Sequence, residues 1–307
     1  MSDGKPSLSA LYSTPKEGRR RVLVVGIDGV RWDSLADVAT PSLDRVAQAG
    51  FRMPVHVNSA GPTISGPCWS TIATGTLPPE HGVIDNDEPS HAMPDDFLTI
   101  ARRAGLSTYA AVAWPELVEA AGCGPIFSPG GRVLMPENPG NDQALWDEAD
   151  GVVASGAARA LAGDDIDAAF VYLGLADEVA HTVGVGPEYF AAIETCDRRL
   201  GLLLNAVGVS AAGVAASGIG GSWAVIVATD HGHVDQGGHG GDSAAERTAW
   251  VAACGPGIGH VTPAHLEQAD IFAQVLKTLG LAADPARFAR SFGARDDVAR
   301  GQPSLVY

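Results

Sequence analysis

The sequence predicts an α/β protein, a three-layer sandwich with a mostly parallel central sheet between helices. Three observations predict it. Runs of small and β-branched apolar residues, Arg21 to Ile27 (RVLVVGI), Ala168 to Gly174 (AAFVYLG) and Ala224 to Ala228 (AVIVA), have the length and bulk of strands buried on both faces. Stretches with helix-like boundaries separate these runs, and strands alternating with helices call for a parallel sheet. No linker interrupts the interior, so residues 21–307 read as one domain after a flexible leader at 1–20.

Arg21 to Ile27 is the first strand. Pro41 to Gly50 begins with proline and stops at glycine, as a helix does. Phe51 to Val57 resumes strand character. Pro67 suits the first turn of a helix running through Thr74, and 75–86 reads as a loop punctuated by proline and glycine. Pro94 to Ala104 is helical and Ser107 to Trp114 extended, whereas 124–140 is glycine- and proline-rich. The whole of about 90–141 is expected to form irregular cover over one end of the sheet and to set substrate specificity. Trp114, Trp146 and Phe127 are candidates for its pocket walls or for the core. Gln143 to Ala162 is an alanine-rich helix, and Pro187 to Val207 a long one with Glu194, Asp197 and Arg198 on its polar side. Ala206 to Ser222 is a low-complexity, mobile loop. Arg247 to Cys254 is a further strand and Ala269 to Leu279 a further helix.

A formal charge of −16 argues against tight binding to a nucleic-acid polymer or an anionic membrane surface, unless local cations reverse the field. No window approaches the ~18 apolar residues of a membrane span. Cys68, Cys123, Cys196 and Cys254 form no CxxC pair, so neither a thiolate zinc site nor a disulfide framework is expected, and a cytoplasmic location is the default.

The chemistry concentrates where the strands end. Ala224 to Ala228 runs into Thr229-Asp230-His231-Gly232, and Gly237-Gly238-His239-Gly240-Gly241 comes a short loop later. The first strand ends in Asp28-Gly29, and the Ala168 strand leads to Asp177 and His181, whose i, i+4 spacing puts both on one face of a helix. Ligands of open α/β sheets bind outside the carboxyl ends of the strands. Carboxylate and imidazole are ligand types for zinc. Singly, each motif also suits a turn or a helix cap. Together, Asp28, Asp177, His181, Asp230, His231 and His239 fall on the same side of the sheet, which favours a two-metal hydrolytic site. Ser65, enclosed by Pro62 and Gly66-Pro67, stands at a helix start where free N–H groups favour an anion; its alternative role is an N-cap.

The order GIDG, PTISGP, HGVIDN, DEVAH, TDHG, GGHGG resembles the alkaline phosphatase superfamily, in its nucleotide pyrophosphatase/phosphodiesterase (type I phosphodiesterase) branch. The resemblance implies an alkaline-phosphatase-like fold and two zinc ions. One would be held by Asp28, Ser65, Asp230 and His231, the other by Asp177, His181 and His239. It makes Ser65 the nucleophile, usually threonine in this branch, and Asn86 a phosphate-holding residue, with the Gly66 N–H beside it. Cys68 and Trp69 stand where asparagine and histidine are usual, and His239 follows Asp230 closely. His233 is a lesser rival for the metal, being near His231.

The implied reaction is hydrolysis of a small-molecule phosphate ester by in-line displacement through a phosphoserine. No Lys or Arg lies near Ser65 in sequence, which favours a diester unless Arg31, Arg52 or Arg247 folds into the site. Thr63 is next in line as nucleophile. A phosphomonoesterase of the same superfamily is the runner-up, and a non-catalytic metal-binding protein the rival from another class. Cys68 lacks the Cys-x-Pro-x-Arg context of a sulfatase, and no inserted cap domain suggests a phosphomutase.

Overall fold

A computed structural model describes residues 20–91, 93–128, 130–163, 165–210, 213–214 and 223–295. Its elements in chain order are β1 (Arg21–Ile27), α1 (Pro41–Ala49), β2 (Gly50–His56), α2 (Ser65–Thr74), α3 (Pro78–His81), α4 (Phe97–Arg103), β3 (Thr108–Ala111), β4 (Arg132–Leu134), α5 (Gln143–Gly163), β5 (Ala168–Leu173), α6 (Leu175–Val183), α7 (Pro187–Ala206), β6 (Val209–Ser210), β7 (Gly213–Val214), β8 (Trp223–Ala228), α8 (Ala244–Arg247), β9 (Thr248–Cys254) and α9 (Asp270–Leu279).

The apolar runs become strands because only a sheet covered on both faces removes every side chain of such a run from water. Every residue of β1, β5 and β8 is buried. The seven-stranded sheet has the order β2-β9-β8-β1-β5-β3-β4. Strands β8, β1, β5, β3 and β4 run parallel, while β9 is antiparallel to both its neighbours. Helices α1, α5, α6 and α7 pack together as one layer, and α2, α4 and α9 as the other. Trp69, Phe97 and Phe127 meet Phe170 of β5 in the core on the α2 and α4 side. Phe127 is therefore a core residue.

The register fixes where the strands finish. β1 lies between β8 and β5, with Gly26 opposite Ala228 and Ile27 opposite Leu173. Three neighbouring parallel strands thus end at the same level, and the residues just beyond them are brought together by the sheet itself.

Several expectations are corrected. The glycine-rich stretch 124–140 contains β4, whose three residues are too short for an alternating pattern and gain strand form from pairing with β3. The loop 75–86 contains the single turn α3. Within 206–222, β6 and β7 pair antiparallel, while 211–212 and 215–222 lie outside the described residues, as does the expected leader up to residue 19. Asp197, expected on the polar side of its helix, is buried and accepts from the N–H groups of Ser42 and Leu43 at the start of α1. Among the described residues no helix is long and apolar enough to cross a membrane.

The helix that carries Asp177 and His181 depends on a remote cap. No side chain of α6's own N-terminus caps it. The fully buried Asp150 of α5 instead accepts from Gly174 N–H at 3.2 Å and Leu175 N–H at 3.0 Å. Burial pushes its carboxyl up to about 7. Asp150→Ala leaves two buried N–H groups without an acceptor and is expected to lower unfolding stability by about 2 kcal/mol. Urea denaturation at a pH below neutrality checks this, and an unchanged midpoint would show that α6 needs no cap.

Candidate metal centre and active site

Just past the ends of β1 and β8, Asp28 and Asp230 are both fully buried, and Asp177 lies in the first turn of α6 beyond β5. Hydrogen bonds occupy one oxygen of each of the first two acids and leave the other bare. Asp28 Oδ2 accepts from Trp69 Nε1 at 2.9 Å and from the Tyr172 hydroxyl at 2.7 Å. Asp230 Oδ1 accepts from Gly29 N–H at 3.2 Å. Asp28 Oδ1 and Asp230 Oδ2 are buried without a hydrogen-bond partner. Buried anionic oxygens are costly unless a cation or donor faces them, so these atoms mark where a cation fits.

The histidines sort themselves by what their outer nitrogens meet. His231 Nδ1 faces its neighbour's carbonyl, Gly232 O, at 3.2 Å, and His239 Nδ1 faces Thr63 O at 2.7 Å. A carbonyl only accepts, so both rings carry the proton on Nδ1 and turn a lone pair inward from Nε2, the usual arrangement of a metal-binding imidazole. His231 Nε2 then lies 3.3 Å from Asp230 Oδ2, 3.6 Å from Asp28 Oδ1 and 3.2 Å from Ser65 Oγ. His181 Nε2 and His239 Nε2 face each other at 3.0 Å, with Asp177 Oδ2 3.3 Å from the former. Two candidate ligand groups result, Asp28 with Asp230 and His231, and Asp177 with His181 and His239, while Asp177, His231 and His233 stand close enough to make a third.

His233, the lesser rival for the metal, is the exception. Its Nε2 lies 2.9 Å from Asp177 Oδ1, and its ring is wholly buried. The Gly238 N–H donates to its Nδ1 at 3.1 Å, which forces the proton onto Nε2. His233 therefore presents a donor to Asp177 and no lone pair to a cation. The His231 and His233 rings stand edge to face with centroids 5.7 Å apart. Gly29, at φ +64°, makes room, since a Cβ there would stand 2.5 Å from both Asp177 Oδ1 and His233 Nε2.

Burial pushes the Asp28 carboxyl up to about 7, helped by the charge of Asp177. Asp230 is raised well above the usual carboxylate range, again by burial first and then by Asp28 and Asp177. Asp177 goes the other way. Burial raises it, but hydrogen bonding with His181 and His233 outweighs this and holds it well below. His231 and His239 are lowered, by burial first, and so stay neutral as ligands must.

Ser65 is the first residue of α2, and the N-cap is Ile64, so the capping role does not fall to Ser65. Gly66 N–H, expected to face an anion, instead donates to Asn86 Oδ1 at 2.7 Å. That bond commits the amide oxygen of Asn86 and leaves its NH2 as the free donor. Beside Ser65 opens a cavity of about 570 Å³ whose walls include Asn86, Trp114, Glu116, Trp146 and Tyr172. Its lining contains no Lys or Arg. Arg31 pairs with Asp33 and Asp235, Arg52 with Asp44, and Arg247 with Asp242 and nearby carbonyls. Trp69, where histidine is usual, supplies the donor to Asp28. Thr63 Oγ1 is taken up by the Gly240 and Gly241 backbone, which removes it as a rival nucleophile.

The family pattern described as Type I phosphodiesterase / nucleotide pyrophosphatase matches residues 22–240. The chain belongs to this family. Within it, ectonucleotide pyrophosphatase/phosphodiesterase family member 7 of mouse is 35% identical over 78 residues, 25% of this chain and 18% of that protein. The human member 7 is 25% identical over 207 residues, 62% of this chain and 44% of that protein. The match thus spans less than half the length of these relatives. Among solved structures, murine ectonucleotide pyrophosphatase/phosphodiesterase 5 superposes with a TM-score of 0.65 at 18% identity, covering 87% of this chain and 96% of its own. A 2-O GAG sulfatase superposes with a TM-score of 0.67 at 13% identity, covering 94% and 75%. The fold is therefore that of the alkaline-phosphatase-like phosphodiesterases and sulfatases.

Crowded carboxylates have a consequence for stability. A carboxyl raised from 3.8 to about 7 contributes fully below its unfolded-state value and loses that contribution as pH rises through about 7. Protein stripped of cations is expected to melt at falling temperature from about pH 5 to about pH 8, with a shallower fall in Asp28→Asn. A thermal melt series in chelator checks this, and a slope indifferent to the substitution would remove Asp28 as its cause.

Proposed function

We propose that this protein is a two-zinc phosphodiesterase that works through a phosphoserine on Ser65. The observation that carries the reading is the crowding of two unpartnered carboxylate oxygens and the Asp177 carboxylate with inward imidazole lone pairs beside the Ser65 hydroxyl. Asp28, Ser65, Asp230 and His231 would hold one ion, and Asp177, His181 and His239 the other. Zinc supplies Lewis acidity, polarising phosphoryl oxygen and making a hydroxyl nucleophilic near neutral pH.

Ser65 Oγ attacks phosphorus as the ester oxygen on the far side departs, so one P–O bond forms while another breaks. The hydroxyl proton leaves with the departing alcohol. Water then attacks the same phosphorus and returns Ser65 as a free hydroxyl, with a phosphate monoester as product. Asn86, its oxygen engaged by Gly66 N–H, offers its NH2 to a non-bridging oxygen as charge builds there.

A diester fits the cavity better than a monoester. The lining holds no cationic side chain to match a second phosphate charge, and Arg31, Arg52 and Arg247 are committed elsewhere. The charge of −16 argues that the substrate is a small molecule and no nucleic-acid polymer. Four free, buried cysteines support a reducing compartment, the cytoplasm.

Ser65→Ala is expected to abolish turnover while two zinc ions remain bound, as read by metal analysis of the purified variant. Near-normal rates would place the nucleophile elsewhere. On the unsubstituted enzyme, bis-p-nitrophenyl phosphate should be hydrolysed at least about tenfold more efficiently than p-nitrophenyl phosphate, with p-nitrophenyl sulfate inert. The reverse ranking would make the protein a phosphomonoesterase, and bound zinc without hydrolysis of any ester would make it a non-catalytic metal-binding protein.

A further inference from the structure

We propose that Thr63 is a positioning residue that holds His239 in its ligating pose and ties it to the segment carrying Ser65, an inference that rests on the two-zinc reading above. Thr63 is wholly buried two residues before the nucleophile, in the loop between β2 and α2. It makes three contacts to one short stretch of chain on the other side of the site. Its backbone carbonyl accepts from His239 Nδ1 at 2.7 Å. Its hydroxyl accepts from Gly240 N–H at 2.9 Å and donates to Gly241 O at 3.0 Å. The hydroxyl thus donates once and accepts once, both times with the two residues after His239.

The stretch needs an outside anchor. His239 lies between glycines at positive φ, Gly238 at 118° and Gly240 at 112°. Glycine carries no side chain to pack and has more conformational freedom to lose than any other residue. The only other side chain that hydrogen-bonds to the backbone of 239–241, among the described residues, is Glu246, which accepts from Gly241 N–H at 2.7 Å. Of the two, Thr63 is the one that reaches both His239 and the residue next to it.

The carbonyl contact sets the tautomer of His239, and the hydroxyl contacts set where the ring stands. Removing the hydroxyl leaves the Gly240 N–H without its acceptor and frees the loop to move, while the tautomer-setting carbonyl stays. The effect should therefore fall on the ion held by Asp177, His181 and His239 and spare the one held by Asp28, Asp230 and His231. Outer contacts that orient metal-ligating groups typically change metal affinity by about 10- to 100-fold.

Zinc titration against a chromophoric chelator tests this on the full-length protein. Thr63→Val, which keeps the shape and removes the hydroxyl, is expected to bind one zinc as tightly as the unsubstituted protein and the second about 10- to 100-fold more weakly. Its loss of turnover should be reversed by excess zinc, which a general loss of folded protein would not be. Thr63→Ser restores the hydroxyl and is expected to recover most of the second affinity. Should the valine variant not fold, Thr63→Ala makes the same comparison with Thr63→Ser. Two zinc ions bound by the hydroxyl-free variant as tightly as by the unsubstituted chain would overturn the proposal, as would a serine variant no better than it. An unsubstituted chain that takes up no zinc would instead overturn the two-zinc reading itself.

Discussion

Three carboxylates placed too close together to be left alone govern everything about the site. Asp28, Asp230 and Asp177 belong to segments far apart in sequence, yet the central sheet delivers them to one small volume, the first two fully buried and Asp177 at the edge of the cavity. In such surroundings like charges repel strongly, and the carboxyls of Asp28 and Asp230 are raised by burial first and by that repulsion second. A site of this kind is unfavourable by itself and becomes favourable when positive charge enters it. The fold bears the cost because the sheet and its helices hold the acids in place through contacts that do not involve them.

The surrounding hydrogen bonds act as a sorting device. Trp69 and Tyr172 engage the outer oxygen of Asp28, and Gly29 N–H that of Asp230, so the remaining oxygens turn inward. Backbone carbonyls do the same for His231 and His239, fixing the proton on the outer nitrogen. A backbone N–H does the opposite for His233 and makes it a donor to Asp177. Three imidazoles in one site thereby take two different chemical roles, decided by whether the main chain beside each offers C=O or N–H.

Much of the architecture is legible in the chain alone. Buried strands announce themselves because a double-sided apolar run has few other stable destinations, and β1, β5 and β8 can be read for that reason. The edge strand β4 and the one-turn helix α3 cannot, because three or four residues carry no period and owe their form to neighbours. Among the polar residues, Asp197 has the sequence setting of a surface acid on a helix and is in fact a buried cap for a different helix. Its partners are about 155 residues away, beyond the reach of any local pattern.

The strand ends, the acids and imidazoles attached to them, and the glycines that let the chain turn there can all be read from the order of residues, because each is a local property of consecutive positions. Which atoms of those residues are free is a different matter, settled only when distant segments meet. That Gly66 N–H serves Asn86, that Thr63 serves the His239 loop, and that His233 gives a proton where its neighbours offer lone pairs all depend on hydrogen-bond partners supplied by other parts of the chain. A side chain's identity sets the chemistry it can perform, and its partners set which part of that chemistry remains available.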